Sequence, residues 1–251
     1  MFSNILNTNL YKNNHKNNHK TKVAKNKFKA NVNYLNRKLI NKEIPLFKLN
    51  AFCINLKSKK ENMDFINDEW SDFLIVKRFI ALSSATLSHL HILKYIWFNK
   101  ENIKFPIVIM EDDVFRKNNF TKYWNELLNL KKCDYVAFDC FFLRFKENQN
   151  NCEENFISLK SHNAVGFNVY YKSFFDKITN INNLLEIVGK TIDTTMTNND
   201  KFVKYTPNTQ ICRQIVNKIS STVISNIIFK TSFYNNYYKD AEYILKIYQK
   251  K

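Results

Sequence analysis

A chain of 251 residues with 45% hydrophobic and 15% aromatic residues can fill the core of one α/β domain, which excludes wholesale disorder. Only Gly166 and Gly189 are glycines, which argues against a glycine-rich phosphate loop. The net charge of +17 is uneven: ten Lys or Arg and no acid precede Glu43, so the rest carries only +7.

Residues 1–45 are a low-complexity Asn/Lys/His segment without apolar periodicity. Such a segment cannot offset its ordering entropy, and a disordered basic tail is expected. Its charge suits peripheral contact with an anionic membrane surface, contact with nucleic acid, or no partner in particular. His15 and His19 are spaced as an i, i+4 pair but lack a third ligand, so a solvated tail is the better reading. From Phe47 the pattern changes. LNAFCINL reads as a buried strand with KSKKEN as its exit loop. SDFLIVKRFIAL, at 71–82, carries another strand. Ser83 or Ser84 can cap a helix whose apolar positions are Leu87, Leu90, Leu93 and Ile96/Trp97. FPIVIM, at 105–110, is a strand that runs into Glu111, Asp112 and Asp113.

A helix is predicted over Thr121–Leu130, with Phe120, Trp124, Leu127 and Leu128 as its buried stripe. CDYVAFDCFFL is one further strand, and KENQNNCEEN a polar loop. AVGFNVYY is a strand leading into a helix at SFFDKI, and KFVKY a strand leading into Pro207. A last helix is expected at Lys239–Tyr248. This alternation predicts an α/β open sheet with helices on both faces. The predicted organisation is a tail at 1–45, a catalytic domain at 46–215 and a helical extension at 216–251.

Five cysteines, an odd number without a CxxC pair, read as reduced and mostly buried thiols. The start has no sustained apolar run, and no stretch is apolar for the ~20 residues a membrane span needs. Neither a signal peptide nor a transmembrane helix is expected, and the expected location is intracellular and cytoplasmic. Gly189-Lys190-Thr191 mimics the end of a phosphate loop, but the required earlier glycine is Leu184. No zinc pattern, serine elbow or RNA-binding signature is visible, and no specific nucleic acid is expected.

The triple acid carries the chemistry. Ligands of open α/β sheets sit beyond the carboxyl ends of the strands. Three crowded carboxylates repel one another, and a hard divalent cation removes that cost. If the pleat continues, Glu111 and Asp113 share one face and Asp112 points to the other. A solvated acidic turn is the bland alternative.

The motifs resemble glycosyltransferase family 25, the lipopolysaccharide-biosynthesis and collagen-galactosyltransferase group. INLKSK at 54–59 is similar to its opening strand and turn, ATLSHLHILKYI at 85–96 to its SHL helix, and VIMEDDV at 108–114 to its EDDV motif. CDYVAFD, AVGFNVYYKSFFDKI and IDTTM followed by VKYTPNTQ resemble later segments in the same order. The chain departs from the pattern at Ser84, where the family has Gly. It also has Lys57, Lys59 and Lys60 in the first turn, and the single Asp193 for a double acid.

The resemblance implies a GT-A-like fold, a nucleotide-sugar donor (UDP-galactose or UDP-glucose) and inversion at the anomeric carbon. It implies Mn²⁺ or Mg²⁺ held by Glu111 and Asp113. Asn55, Ser58, His89 and Asp112 are the donor-side candidates. For His89 a satisfied core histidine is the competing reading, and for Asn55 and Ser58 a plain turn role. Inversion needs a base, for which Asp193 is the candidate and Asp139 the reserve; Asp193 also fits a helix N-cap. The implied acceptor is a glycan or a protein- or lipid-linked group. Two other readings compete. One is an inactive GT-A-like basic protein that binds nucleic acid or a membrane surface. The other is an unrelated α/β enzyme acting on phosphate esters.

Overall fold

The structure, a computed structural model, describes residues 45–145, 155–163, 165–181 and 200–214. The expected tail, Asp193 and the expected helix at Lys239–Tyr248 lie outside the described residues. The chain enters through Phe47, whose ring stacks on Trp124. It then forms β1 (Leu49–Asn55), α1 (Lys60–Trp70), β2 (Leu74–Ile80), α2 (Ala85–Phe98) and β3 (Ile107–Glu111). Next come β4 (Val114–Arg116), α3 (Phe120–Glu126), a single 3₁₀ turn (Leu127–Asn129), β5 (Tyr135–Ala137) and β6 (Phe141–Phe145). The described part closes with β7 (Phe156–Asn163), β8 (Phe167–Tyr170), α4 (Lys172–Asp176), β9 (Lys204–Pro207) and β10 (Cys212–Gln214).

Eight strands form one sheet in the order β2-β1-β3-β8-β5-β9-β7-β6. β1, β2 and β3 run parallel, and β8 enters antiparallel between β3 and β5. β5 and β9 are parallel again, so β1, β3 and β5 all end at the same edge. β4 and β10 pair antiparallel as a separate two-stranded ribbon.

Residue alternation splits the core into two layers. Ile107, Ile109, Tyr135 and Ala137 face α2 (Leu90, Leu93, Ile96) and α4 (Phe174, Phe175). Val108, Met110, Val136 and Val169 face α1 (Met63, Ile66, Trp70) and α3 (Phe120, Trp124). The mixed α/β sheet with helices on both faces is the architecture the sequence predicts. Ser84 caps α2, its hydroxyl accepting from Leu87 N–H at 3.1 Å.

The structure adds elements to that reading. The exit loop expected at KSKKEN ends at Lys59, and KENMDFINDEW, which starts within it, forms α1. Met63, Ile66 and Trp70 give it a narrow apolar stripe among polar neighbours. CDYVAFDCFFL is two strands, broken at Phe138–Cys140 where the chain bends around Asp139. β4, β7 and β10 are strands the periodicity did not show. Leu87 and Leu128, expected in buried stripes, are exposed. The helix at Phe120 gives way to the 3₁₀ turn at Leu127, which rotates Leu128 outward.

The connections place a crevice. β1 leads through α1 to β2 on one side of it. β2 then returns through α2 to β3 on the other side. The two helices pack on opposite faces, so the chain parts between the carboxyl ends of β1 and β3. Open α/β sheets bind ligands at such a switch point.

Candidate active site at the carboxyl edge of the sheet

β3 is buried along Ile107–Met110 and ends at Glu111, the first acid. The pleat does not continue: Asp112 and Asp113 form a tight turn into β4. The three carboxylates therefore part company by turn geometry rather than by strand alternation.

Asp112 is tied into the scaffold. Its Oδ2 accepts from the amides of Asn55, at the end of β1, and Asn62, on α1 at 2.9 Å. Asn55 also donates to Lys59 O at 2.7 Å and accepts from Arg78 Nε at 2.7 Å. Asp112 thus joins β1, α1 and the turn after β3 across the crevice. Ser58 lies exposed on the turn that follows β1.

Glu111 is held from two sides. Its backbone N–H donates to Gly166 O at 2.9 Å. One carboxylate oxygen accepts from Gln214 Nε2 at 2.7 Å, and the other stands 3.4 Å from His89 Nε2. Gln214 reaches it because β10 pairs with β4 directly after the acidic turn. His89 is fully buried on the inner face of α2, and its Nδ1 has no hydrogen-bond partner among the described residues.

Asp113 is the unsatisfied member. Its Oδ1 is sealed from solvent and has no hydrogen-bond partner among the described residues. Burial raises its carboxyl well above the usual carboxylate range, and the charges of Glu111, Asp112 and Asp139 push it further up. Asp139, beyond the end of β5, is fully buried. It sits so close to Gly166 that a Cβ there would collide with its carboxylate and press on Gln214 and Val114. Gly166, one of two glycines in the chain, lets the acids of β3 and β5 converge. The same field reaches Cys53 on β1. Burial raises its thiol first, and Asp112, Asp113 and Glu111 add to it.

Among the described residues no group of three or more His, Cys, Asp or Glu is arranged to hold a metal ion. Both Glu111 oxygens face protein nitrogens, and Asp112 is spent on Asn55 and Asn62. What the turn offers is one buried, unpartnered carboxylate oxygen amid repelling charges. A divalent cation there would need ligands from outside the chain, since one or two carboxylates do not make an all-protein cage.

The structure thus brings Glu111, Asp113 and Asp139 into one electrostatic cluster. It sets His89 against Glu111 and joins Asn55 to Asp112. Gln214, Gly166 and Asn62 belong to the same framework and were not singled out by the sequence. Gly166 had a visible signal in its rarity, whereas Gln214 and Asn62 had none.

No family model matches the chain, and no curated protein matches it. Among solved structures, the chain is similar to the crystal structure of A197 from STIV, with 14% identity and a TM-score of 0.44. That match covers 64% of this chain and 81% of that one. It is also similar to a glycosyltransferase involved in the glycosylation of the major capsid of PBCV-1. Identity there is 10% and the TM-score 0.29, over 56% of this chain and 67% of that one. One distant structural neighbour is thus a glycosyltransferase; at these TM-scores neither likeness carries a functional argument, and membership of family 25 is not shown.

Proposed function

We propose that the chain is a glycosyltransferase that moves a hexose from a nucleotide-sugar donor, UDP-galactose or UDP-glucose, to an acceptor hydroxyl with inversion. The observation that carries this reading is the convergence of Glu111, Asp113 and Asp139 beyond the carboxyl ends of β3 and β5, with Asp113 Oδ1 buried and unpartnered. A carboxylate so placed carries a stability cost unless a cation or a proton compensates it. The motif resemblance over Leu49–Gln214 supports the same reading.

In this reading Asp113, helped by Glu111, holds the cation. When bound, Mn²⁺ or Mg²⁺ would neutralise the charge of the departing nucleotide. Gln214 and His89 orient Glu111, and Gln214 donates to it whatever the pH. Asp112 holds the β1 turn open against α1 through Asn55 and Asn62, which shapes the donor crevice with Ser58 on its rim. The acceptor proton goes to a carboxylate base, Asp193 or Asp139. The acceptor is a glycan or a protein- or lipid-linked hydroxyl.

The test is calorimetry of a panel of nucleotide sugars with and without Mn²⁺, alongside nucleotide release. Asp113→Asn loses metal-dependent donor binding and turnover together. Substitution of the base, Asp193→Asn or Asp139→Asn, leaves donor binding and removes transfer. Unchanged donor affinity and metal dependence in Asp113→Asn would sink the assignment.

A second reading, a GT-A-like protein without activity, rests on one observation. Both Glu111 oxygens face protein nitrogens, so the metal site is reduced to Asp113. Silence with every donor, with the fold intact, would favour it.

A further inference from the structure

The outer side of α2 and the adjoining face of β2 expose apolar side chains among lysines. β2 is an edge strand, and Ile75, Lys77 and Phe79 share its α2-facing side. Ile75 is 62% exposed, Tyr95 46% and Phe98 64%. Cations interleave with these side chains. Lys77 Nζ lies 5.8 Å from the Phe52 ring centre and 5.9 Å from that of Tyr95, and Lys94 Nζ 5.9 Å from that of Phe98. Phe79 meets His91 of α2, which ties strand and helix into one continuous surface. Between them runs a groove of about 390 Å³, walled by Ile75, Lys77 and Tyr95 and floored by Phe52, with Lys104 at its far side. From Leu74 to Lys104 the only acid before the β3 strand is Glu101, and Lys172 binds it at 3.1 Å.

We propose that this face docks on the surface of an anionic lipid bilayer. The chemistry selects that occupant. Aromatic and aliphatic side chains exposed beside lysines match an interfacial layer. There the rings sit at headgroup level and the ammonium groups reach lipid phosphates along their apolar stems. A duplex nucleic-acid backbone would be met by polar donors, whereas the aliphatic Ile75 would stay idle against phosphates. A second copy of the chain would set Lys77, Lys94 and Lys104 against their own images, and an edge lysine such as Lys77 also blocks strand-to-strand pairing. The face lies on the other side of α2 from His89, so docking leaves the acidic crevice uncovered by this helix. The proposal is independent of sugar transfer.

The test is co-sedimentation of the full chain with vesicles of phosphatidylcholine, alone or mixed with phosphatidylglycerol. Wild type binds the mixed vesicles and not the neutral ones. Lys77→Gln with Lys104→Gln weakens binding by about 30-fold, and Phe98→Ser by about tenfold or more. All these positions are exposed or half-exposed, and circular dichroism confirms that the variants fold. Phe98→Trp provides a direct reading: brominated lipids quench the added indole more than the wild-type tryptophans. Wild-type partition in both sets of variants overturns the proposal, because the basic residues before Glu43 then hold the vesicle alone. So does failure of wild type to bind mixed vesicles. A dimer, or oligonucleotide binding, abolished by Phe98→Ser while vesicle binding persists also overturns it.

Discussion

Two edges of the same sheet each bury an aspartate, and they treat it in opposite ways. At the amino end of β5, Asp134 is 1% exposed. It accepts from the Val203 N–H at 2.6 Å and pairs with the Lys177 ammonium. Its own carbonyl accepts from Tyr171 N–H at 2.9 Å, so the loops after β8 and before β9 close on it. At the carboxyl edge, Asp113 has a sealed oxygen without a partner among the described residues, and three acids as neighbours. A satisfied buried carboxylate holds a fold together. One left with repulsion costs stability, and a cost kept at a crevice points to a ligand.

The largest effect should come from breaking the satisfied edge. Asp134→Ala leaves a buried N–H and a lysine without their acceptor, and should cost about 2–4 kcal/mol in denaturant unfolding. Next comes the contact that lets the unsatisfied edge exist. Gly166→Ala forces a Cβ into the Asp139 carboxylate. It should cost about 1–3 kcal/mol and, because Asp139 must move, lower turnover at least tenfold.

Asp113→Asn should reverse the sign. Without divalent cation the variant should be as stable as wild type or more so, while turnover falls roughly 100-fold or more. The pH dependence follows from the raised carboxyl. The folded state holds the Asp113 proton more tightly than the unfolded state does. Wild-type stability from this group is therefore greatest at low pH. It is lost as pH rises from about 4, the unfolded carboxyl value, through the higher folded one. Thermal unfolding of wild type and Asp113→Asn across that range, with chelator present, should show the gap opening in favour of the variant as pH rises. A gap independent of pH would refute the buried-charge account.

The smallest effect sharpens the contrast by its absence. Cys133 at the amino edge and Cys140 at the carboxyl edge are both buried, and burial raises both thiols, Cys140 to about 12. Neither should react with a disulfide reagent near pH 8 until the protein is unfolded. The two edges thus treat their buried thiols alike and their buried carboxylates differently.

How far the sequence revealed this follows from where the information lies. The Ser84 cap and the Leu90, Leu93 and Ile96 positions of α2 are local signals and hold, whereas Leu87 at the first turn is exposed. The apolar run of β3 ending in acids is local too, and it marks the crevice. α1 gives only a faint periodic signal because its three buried apolar residues sit among seven charged or amide side chains in KENMDFINDEW. β4 and β10 are three residues each, too short for any periodicity. The partners of Glu111 are beyond local reading for a further reason. Gln214 lies 103 positions away and arrives only through strand pairing. Asp112 and Asp113 look alike in sequence. Only the turn decides that one is anchored to Asn55 while the Oδ1 of the other has no hydrogen-bond partner among the described residues.

Trp70 gives this arrangement an optical handle. Its indole N–H donates to Val114 O at 3.1 Å, one residue beyond Asp113, and its ring stacks on Phe167, one residue beyond Gly166. The fluorophore is buried, so solvent quenchers do not reach it. Any shift of the acidic turn alters the field along its indole axis. Under the proposed function, a cation or phosphate reaching Asp113 should shift the emission of Trp70, measured with Trp97 and Trp124 replaced by Phe, and binding could then be followed without knowledge of the acceptor.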